Sequence, residues 1–155
     1  MSSKKIKEGD KMPLFSLPDQ DGQMTDIGKL VGHSSLVIYF YPKDFTSGCT
    51  MEAHEFREMH EEFQKGGAEV FGISGDSVRS HKDFATEHEL PFRLLSDEGD
   101  KVRDLFGAWS LGGIPGRITY LVDMAGVVRL VFSSMTQPKK HIEEGLKALH
   151  AVGSK

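Results

Sequence analysis

Residues 36–41 read LVIYFY, six sheet-forming residues with no polar position among them. A strand that faces water on one side alternates apolar and polar residues. A run without alternation is buried on both faces, as in a parallel or mixed sheet covered by helices. Directly after it comes PKDFTSGCT at 42–50, which holds the only cysteine of the chain. A charged stretch with helical spacing follows, so the one thiol sits at the seam between a buried strand and a helix start.

The neighbouring segments supply the rest of such a sheet. LFSL at 14–17 and QMTDI at 23–27 flank Asp21-Gly22, a tight-turn signal, and predict an N-terminal hairpin. From Cys49 to about Lys65, the positions Cys49, Ala53, Phe56, His60 and Phe63 recur at helical spacing with Met59 alongside, and Gly66-Gly67 ends the run. This predicts one amphipathic helix with Cys49 on its buried side. AEVFGIS reads as a strand, and the stretch after it as a helix opened by Asp76 or Ser77 and stopped by Pro91. FRLL is a short strand and SDEGDKVRDLFGAW a short helix. RITYLV and VVRLVF form a second hairpin around DMAG, and Pro138 opens a last helix whose Ile142, Leu146 and Leu149 face the core. The order, hairpin, βαβα, strand, short helix, hairpin and helix, predicts an α/β protein of thioredoxin-like architecture: a mixed central sheet flanked by helices, with an N-terminal hairpin. No repeat or linker interrupts it, so residues 1–155 are expected to form one domain.

Composition narrows the function classes. With 38% hydrophobic and 27% charged residues and no long apolar run, the chain is expected to be soluble and off the membrane. A net charge of −4 with scattered lysines and arginines argues against nucleic acid as a partner. The start, MSSKKIKEGDKMPLF, has no apolar core of a secretory signal. A lone thiol suits a reducing compartment, the cytoplasm, or a plastid stroma if the sequence is a mature form.

A sulfur in the first turn of a helix lies among unpaired backbone N–H groups and a partial positive charge, which favour thiolate. Full ionisation of a free thiol at neutral pH gains only about thirtyfold, roughly 2 kcal/mol on a barrier. Ionisation alone does not make an enzyme. A lone cysteine on a helix face also reads as a small buried hydrophobe. Packing, however, requires neither Gly48 beside it, which lets other groups approach, nor Thr46 three residues before it, whose hydroxyl can donate to an incoming oxygen while accepting elsewhere. Thr46 and Ser47 also read as a helix cap.

Pro42, Thr46 and Cys49 spell P-x-x-x-T-x-x-C within YFYPKDFTSGCTMEAHEFRE, and this resembles the peroxiredoxins. GDKMPLFSLPDQDG, SGDSVRSHKDFA, LPFRLLSD, IPGRITYLVD and QPKKHIEEGL extend the resemblance nearly end to end. They are similar to the Q-type subgroup, also called bacterioferritin comigratory proteins, the later segments particularly to its plant and cyanobacterial members. The resemblance implies a thiol-dependent peroxidase that reduces hydrogen peroxide and organic hydroperoxides. In it, Cys49 is the peroxidatic nucleophile, Thr46 bonds the peroxide and Pro42 shields the site from water. Arg117, in PGRITY, matches the family's second-site arginine. The leaving oxygen of a peroxide gains negative charge as the O–O bond breaks, and a guanidinium can hold it. Glu52 is typical of the subgroup and reads two ways, as a group orienting Arg117 or as an exposed first-turn acid at the helix dipole.

Q-type members commonly carry a resolving cysteine five residues after the first or in the following helix; this chain has His54 and Ala85 there. The expectation is a one-cysteine mechanism with an external thiol reductant (thioredoxin, glutaredoxin or glutathione), in a monomer. A protonated His54 would add positive charge beside the thiolate.

Seven histidines raise the question of metal, but HEFREMH places its pair six apart rather than four, so neither metal nor cofactor is expected. His60 reads as a core-edge histidine with a hydrogen bond, and Trp109 as pocket wall or packing. GISGDS and LGGIPG fit no nucleotide fingerprint. A second function class is a thioredoxin-fold redox sensor acting by mixed disulfide at Cys49, which needs a thiolate but not the pairing of Thr46 with Arg117. Cys49→Ser should abolish peroxide consumption in a rapid-mixing assay, because the chain holds no other thiol nucleophile; surviving activity would refute the assignment.

Overall fold

In the computed structural model, which describes residues 5–153, the chain begins with a hairpin of β1 (Ser16–Pro18) and β2 (Met24–Asp26), paired Leu17 to Thr25. Its turn is held by the Asp19 carboxylate, which accepts from the N–H groups of Asp21 and Gln23. Next come β3 (Ser35–Phe40), α1 (Ser47–Glu58), α2 (His60–Lys65), β4 (Ala68–Ser74), α3 (Val78–Glu87) and β5 (Arg93–Ser96). The chain ends with α4 (Lys101–Phe106), β6 (Ile118–Val122), β7 (Val128–Ser133) and α5 (Pro138–Gly153). This is the expected order of elements, with the one expected helix after β3 divided into α1 and α2. The main sheet runs β5-β4-β3-β6-β7, with β3, β4 and β5 parallel and β6 and β7 antiparallel to their neighbours.

The unalternating run lies at the centre of that sheet, buried throughout. Successive side chains of a strand point to opposite faces. Val37, Tyr39 and Tyr41 therefore join the layer containing Ala53 and Phe56 of α1, Phe63 of α2, Phe84 of α3 and Ile142 and Leu149 of α5. Leu36, Ile38 and Phe40 join the other layer, with Val102 and Phe106 of α4, Ile27 and the N-terminal Ile6 and Met12. Both faces are covered, which is why no polar position was tolerated.

The expected helix from Cys49 to Lys65 is two helices. The first begins two residues earlier, at Ser47, and the chain turns at Met59, whose φ of −100° and ψ of 8° leave the α-helical basin. No glycine or proline marks the break. The turn accompanies the seating of Phe63, fully buried and 5.6 Å from the Phe56 ring. α3 is capped by Ser77 rather than Asp76: the Ser77 hydroxyl accepts from the Ser80 N–H at 3.1 Å.

A buried cation holds the end of the sheet together. Arg103 of α4, only 1% exposed, donates to the carbonyls of Tyr41 (2.7 Å), Gly116 (2.8 Å) and Ala108 (3.1 Å). Its Nε lies 3.3 Å from Asp100, and the guanidinium stands over the rings of Phe40 and Trp109. Trp109 therefore packs on Arg103 and donates to Asp104. Tyr41 and Gly116 are the residues just before Pro42 and Arg117, so one guanidinium fixes both segments that carry the site. Arg103→Met should leave the Tyr41 and Gly116 carbonyls without their donor, Ala108 keeping the Gly116 N–H, and cost about 3 kcal/mol or more in urea unfolding. A loss under about 1 kcal/mol would mean the carbonyls find water instead.

Candidate active site

The loop from Pro42 to Gly48 leaves the sheet and enters α1 at Thr46, its N-cap residue. It is fixed at Asp44. The Asp44 carboxylate accepts from the Tyr41 hydroxyl (2.6 Å) and the Ser80 hydroxyl (2.8 Å) and pairs with His81 Nδ1 (2.7 Å), while its N–H donates to Asp76 (2.9 Å). Tyr41 follows β3, Asp76 follows β4, and Ser80 and His81 lie on α3, so the loop is tied to three elements. Asp44, Asp76 and His81 are close enough to hold a cation. Their polar atoms are engaged with one another, with Ser74 and with the Leu95 carbonyl, so the cluster reads as a hydrogen-bonded joint.

Cys49 is the third residue of α1 and 1% exposed, on the buried side as expected. Its sulfur meets the Arg117 guanidinium, Nη1 to Sγ 3.5 Å, although 68 residues separate them. The same Nη1 donates to Glu52 Oε1 at 2.8 Å, and Nε lies 3.4 Å from the Met135 carbonyl. Glu52 is fully buried, which removes the reading of it as an exposed helix-start acid; it positions Arg117. Gly48 is required by the same contact. A Cβ there would stand 2.9 Å from Arg117 Nη2, so the group that the glycine admits is the guanidinium.

Electrostatics of the trio follow from burial. Desolvation pushes the Glu52 carboxyl up to about 8, with Arg117 opposing. Burial works against the Arg117 charge too, but Glu52 and Cys49 outweigh it and hold that pKa above its usual value.

Thr46 and Pro42 stand at the outer edge. Thr46 is exposed, and its hydroxyl makes no cap bond to the helix, donating instead to the Lys43 carbonyl at 2.8 Å. Its donor role is thus taken and its lone pairs are free, the reverse of the expected polarity: it can accept from a peroxide O–H. Pro42 is half-buried where the chain leaves β3. On the outward side of α1, Phe45, Ser47, Thr50, Met51, His54, Glu55 and Lys139 line a cleft of about 600 Å³ that does not include Cys49. His54 turns to α3, where Nε2 lies 2.9 Å from His88 Nδ1. Burial, then Arg57 and His88, lower its pKa, so it does not supply the positive charge expected beside the thiolate. His60 sits at the core edge 6.1 Å from Phe92, without the expected hydrogen bond among the described residues.

Comparison with known proteins accords with this geometry. Residues 8–131 match the AhpC/TSA family. The chain is 51% identical over 150 residues to peroxiredoxin Q, chloroplastic, of Suaeda salsa, covering 96% of this chain and 70% of that protein. It is 51% identical to the Sedum lineare protein of the same name, covering 96% and 80%. The chain belongs to the AhpC/TSA family, as a Q-type peroxiredoxin. Among solved structures, peroxidoxin BcpB of Mycobacterium tuberculosis superposes with a TM-score of 0.88 at 36% identity over 95% of this chain and 98% of that one. Xanthomonas campestris peroxiredoxin Q gives 0.83 at 34%, over 90% and 91%. This peroxiredoxin is a thiol peroxidase with a single cysteine and a thioredoxin-like fold.

Asp44 and His141 near its site were not singled out in the sequence, and His81 counted there only among the seven histidines weighed for metal. The last two had a signal. His141 shares a stripe with Gly145 and Leu149, and His81 with Phe84 and Ala85, so each is a polar residue on a buried helix face. Gly48→Ala keeps every functional group and moves only the guanidinium. It should slow the peroxide step by about a hundredfold in stopped-flow measurements, the usual cost of an ångström-scale misplacement; an unchanged rate would show that the Cys49–Arg117 contact is not what sets it.

Proposed function

We propose that Cys49 is the peroxidatic nucleophile of a one-cysteine peroxidase whose sulfenic acid is reduced by an external thiol. The observation that carries this reading is the buried Arg117 Nη1, 3.5 Å from Sγ and fixed by Glu52. Sulfur attacks one peroxide oxygen; the S–O bond forms as the O–O bond breaks, and the second oxygen leaves with the electron pair as hydroxide or alkoxide. Cys49 is oxidised by two electrons and the peroxide is reduced. Arg117 faces the place where that charge develops, which is where rate beyond simple ionisation arises. Thr46 accepts the peroxide O–H, and Pro42, without an N–H of its own, closes the loop side of the site to water. Exposed Phe45 and Met51 give the alkyl part of an organic hydroperoxide an apolar surface next to Thr46.

Arg117 also weighs against a redox sensor, which needs a thiolate but no group to hold a leaving oxygen. With one cysteine, the sulfenic acid condenses with an external thiol, releasing water and forming a mixed disulfide; a second thiol then frees Cys49 as the thiol. Thioredoxin, glutaredoxin and glutathione have this chemistry. Both the cytoplasm and a plastid stroma are reducing enough to supply it, and the relatives named chloroplastic favour the stroma. No helix among the described residues is long and apolar enough to cross a membrane, and the exposed large apolar residues are spread over several elements, in keeping with a monomer.

Native mass spectrometry tests the scheme in one experiment. After one equivalent of peroxide the monomer should carry one added oxygen on Cys49, converting to a mixed disulfide when glutathione is added. Excess peroxide without thiol should drive it to sulfinic acid and inactivity. A Cys49–Cys49 disulfide dimer that thioredoxin turns over efficiently would replace the external-thiol scheme with resolution between subunits.

A further inference from the structure

One buried carboxylate oxygen beside the site has nothing to bond to. Glu52 gives Oε1 to Arg117, while Oε2 has no hydrogen-bond partner and faces His141 Nδ1 at 3.7 Å. His141, at the start of α5, is itself fully buried. Its Nε2 lies 2.8 Å from the Ser134 carbonyl, which can only accept, so Nε2 carries the hydrogen. Burial, with Arg117 adding and Ser134 opposing, pushes its pKa down to about 4, so the ring is neutral and Nδ1 presents a lone pair. The Thr119 hydroxyl reaches that lone pair at 2.8 Å.

An ionised Glu52 therefore sets an unsatisfied anionic oxygen against a lone pair in a buried space, which is costly. A proton on Oε2 turns the same pair into donor and acceptor, with the rotatable Thr119 hydroxyl free to yield. Charge counting gives the same answer. Around Glu52 stand Arg117 at the start of β6, Tyr39 on β3 and His141 on α5, and Cys49 on its own helix shares the Arg117 Nη1 with it. Tyr39 is held neutral by burial, with Glu52 and Cys49 adding to the effect. Arg117 is the one cation among these groups, and a thiolate and a carboxylate compete for the same Nη1. One buried cation balances one anion.

We propose that Glu52 stores the proton that Cys49 gives up, with His141 as the positioning residue that receives the Oε2–H. The thiol and the carboxylate become thiolate and carboxylic acid. Sulfur then takes one peroxide oxygen, the O–O bond breaks, and the departing alkoxide or hydroxide ends as alcohol or water. The leaving alkoxide or hydroxide is a far stronger base than the Glu52 carboxylate, so the proton stored on Glu52 balances the one it takes up, and the sulfenic acid no longer competes for Arg117. At each resting stage the site holds one anion against its one cation.

This inference rests on the reading of Cys49 as nucleophile, and infrared difference spectroscopy separates the two. Reduced protein should show a carboxylic-acid carbonyl band near neutral pH that Glu52→Gln, which keeps the shape and the acceptor for Arg117, removes. In Cys49→Ala that band should be lost at a pH lower by about one unit or more, because Glu52 then has Arg117 to itself. His141→Leu should shift its frequency to that of an acid without an acceptor. One equivalent of peroxide should erase the band in the wild type as Cys49 gains an oxygen. Absence of the band, its identical titration in Cys49→Ala, or its persistence once mass shows Cys49 oxidised would each overturn proton storage; an unmoved frequency in His141→Leu would remove His141 from it. If peroxide leaves Cys49 unoxidised, the nucleophile reading fails, and the titration comparisons, made without peroxide, still decide whether Glu52 holds the proton.

Discussion

The structure around the thiol depends on one buried positive charge. A guanidinium cannot shed its proton at neutral pH, so wherever the fold buries one it must also bury acceptors for it. Arg117 finds them in Glu52 and in the sulfur of Cys49, three residues apart on α1 and thus on adjacent turns of one face. Gly48 follows from this, because the guanidinium occupies the space where a side chain at that position would lie. The placing of the sulfur and the packing of the helix end are consequences of the same contact.

The site is held by its surroundings more than by its own loop. Arg103 bonds the carbonyls that precede Pro42 and Arg117, and Asp44 ties the loop to α3 and the end of β4. Both are charged groups in the interior, each satisfied by neighbours distant in sequence. Apolar packing alone would seal the two faces of the sheet but would not fix the guanidinium relative to the sulfur. Directional bonds to buried charges do that.

What the sequence made legible and what it hid divide along the same line. The run at 36–41 announces burial on both faces, and it occupies the central strand with its odd and even residues in different layers. The order of elements followed from periodicity and caps. Cys49, Thr46, Pro42 and Arg117 were legible as a family pattern; of these the structure brings Cys49 and Arg117 into contact and leaves Thr46 and Pro42 at the rim. Glu52 stayed ambiguous because a first-turn acid is equally at home in water, and only the approach of Arg117 from the far end of the chain decides it. His141 and Arg103 were hidden for a related reason: a polar side chain is stable inside only when its partners are assembled, and local periodicity does not reveal partners. The break at Met59 has no local marker either, since it belongs to the packing of Phe63.

Size separates the two halves of the catalytic cycle. A peroxide group is small, and Cys49 at 1% exposure is compatible with admitting it past Thr46. A mixed disulfide instead brings a second sulfur to within about 2 Å of Sγ, with its own chain attached. The residues that must give way lie between two fixed points. Asp44 is anchored on one side, and on the other α1 is joined to α3 through His54 and His88 and through Arg57, which donates to the His88 carbonyl at 2.8 Å. Phe45, Thr46 and Ser47 between them are all exposed, and Phe45 is a non-glycine residue at a φ of 65°, a conformation that costs energy to hold. Opening there would relieve that conformation and break only the Thr46 to Lys43 bond, leaving the Arg117 contacts as they are. In a chain with no second cysteine, unwinding the rest of α1 would serve no chemistry, and the ties between α1 and α3 hold it closed.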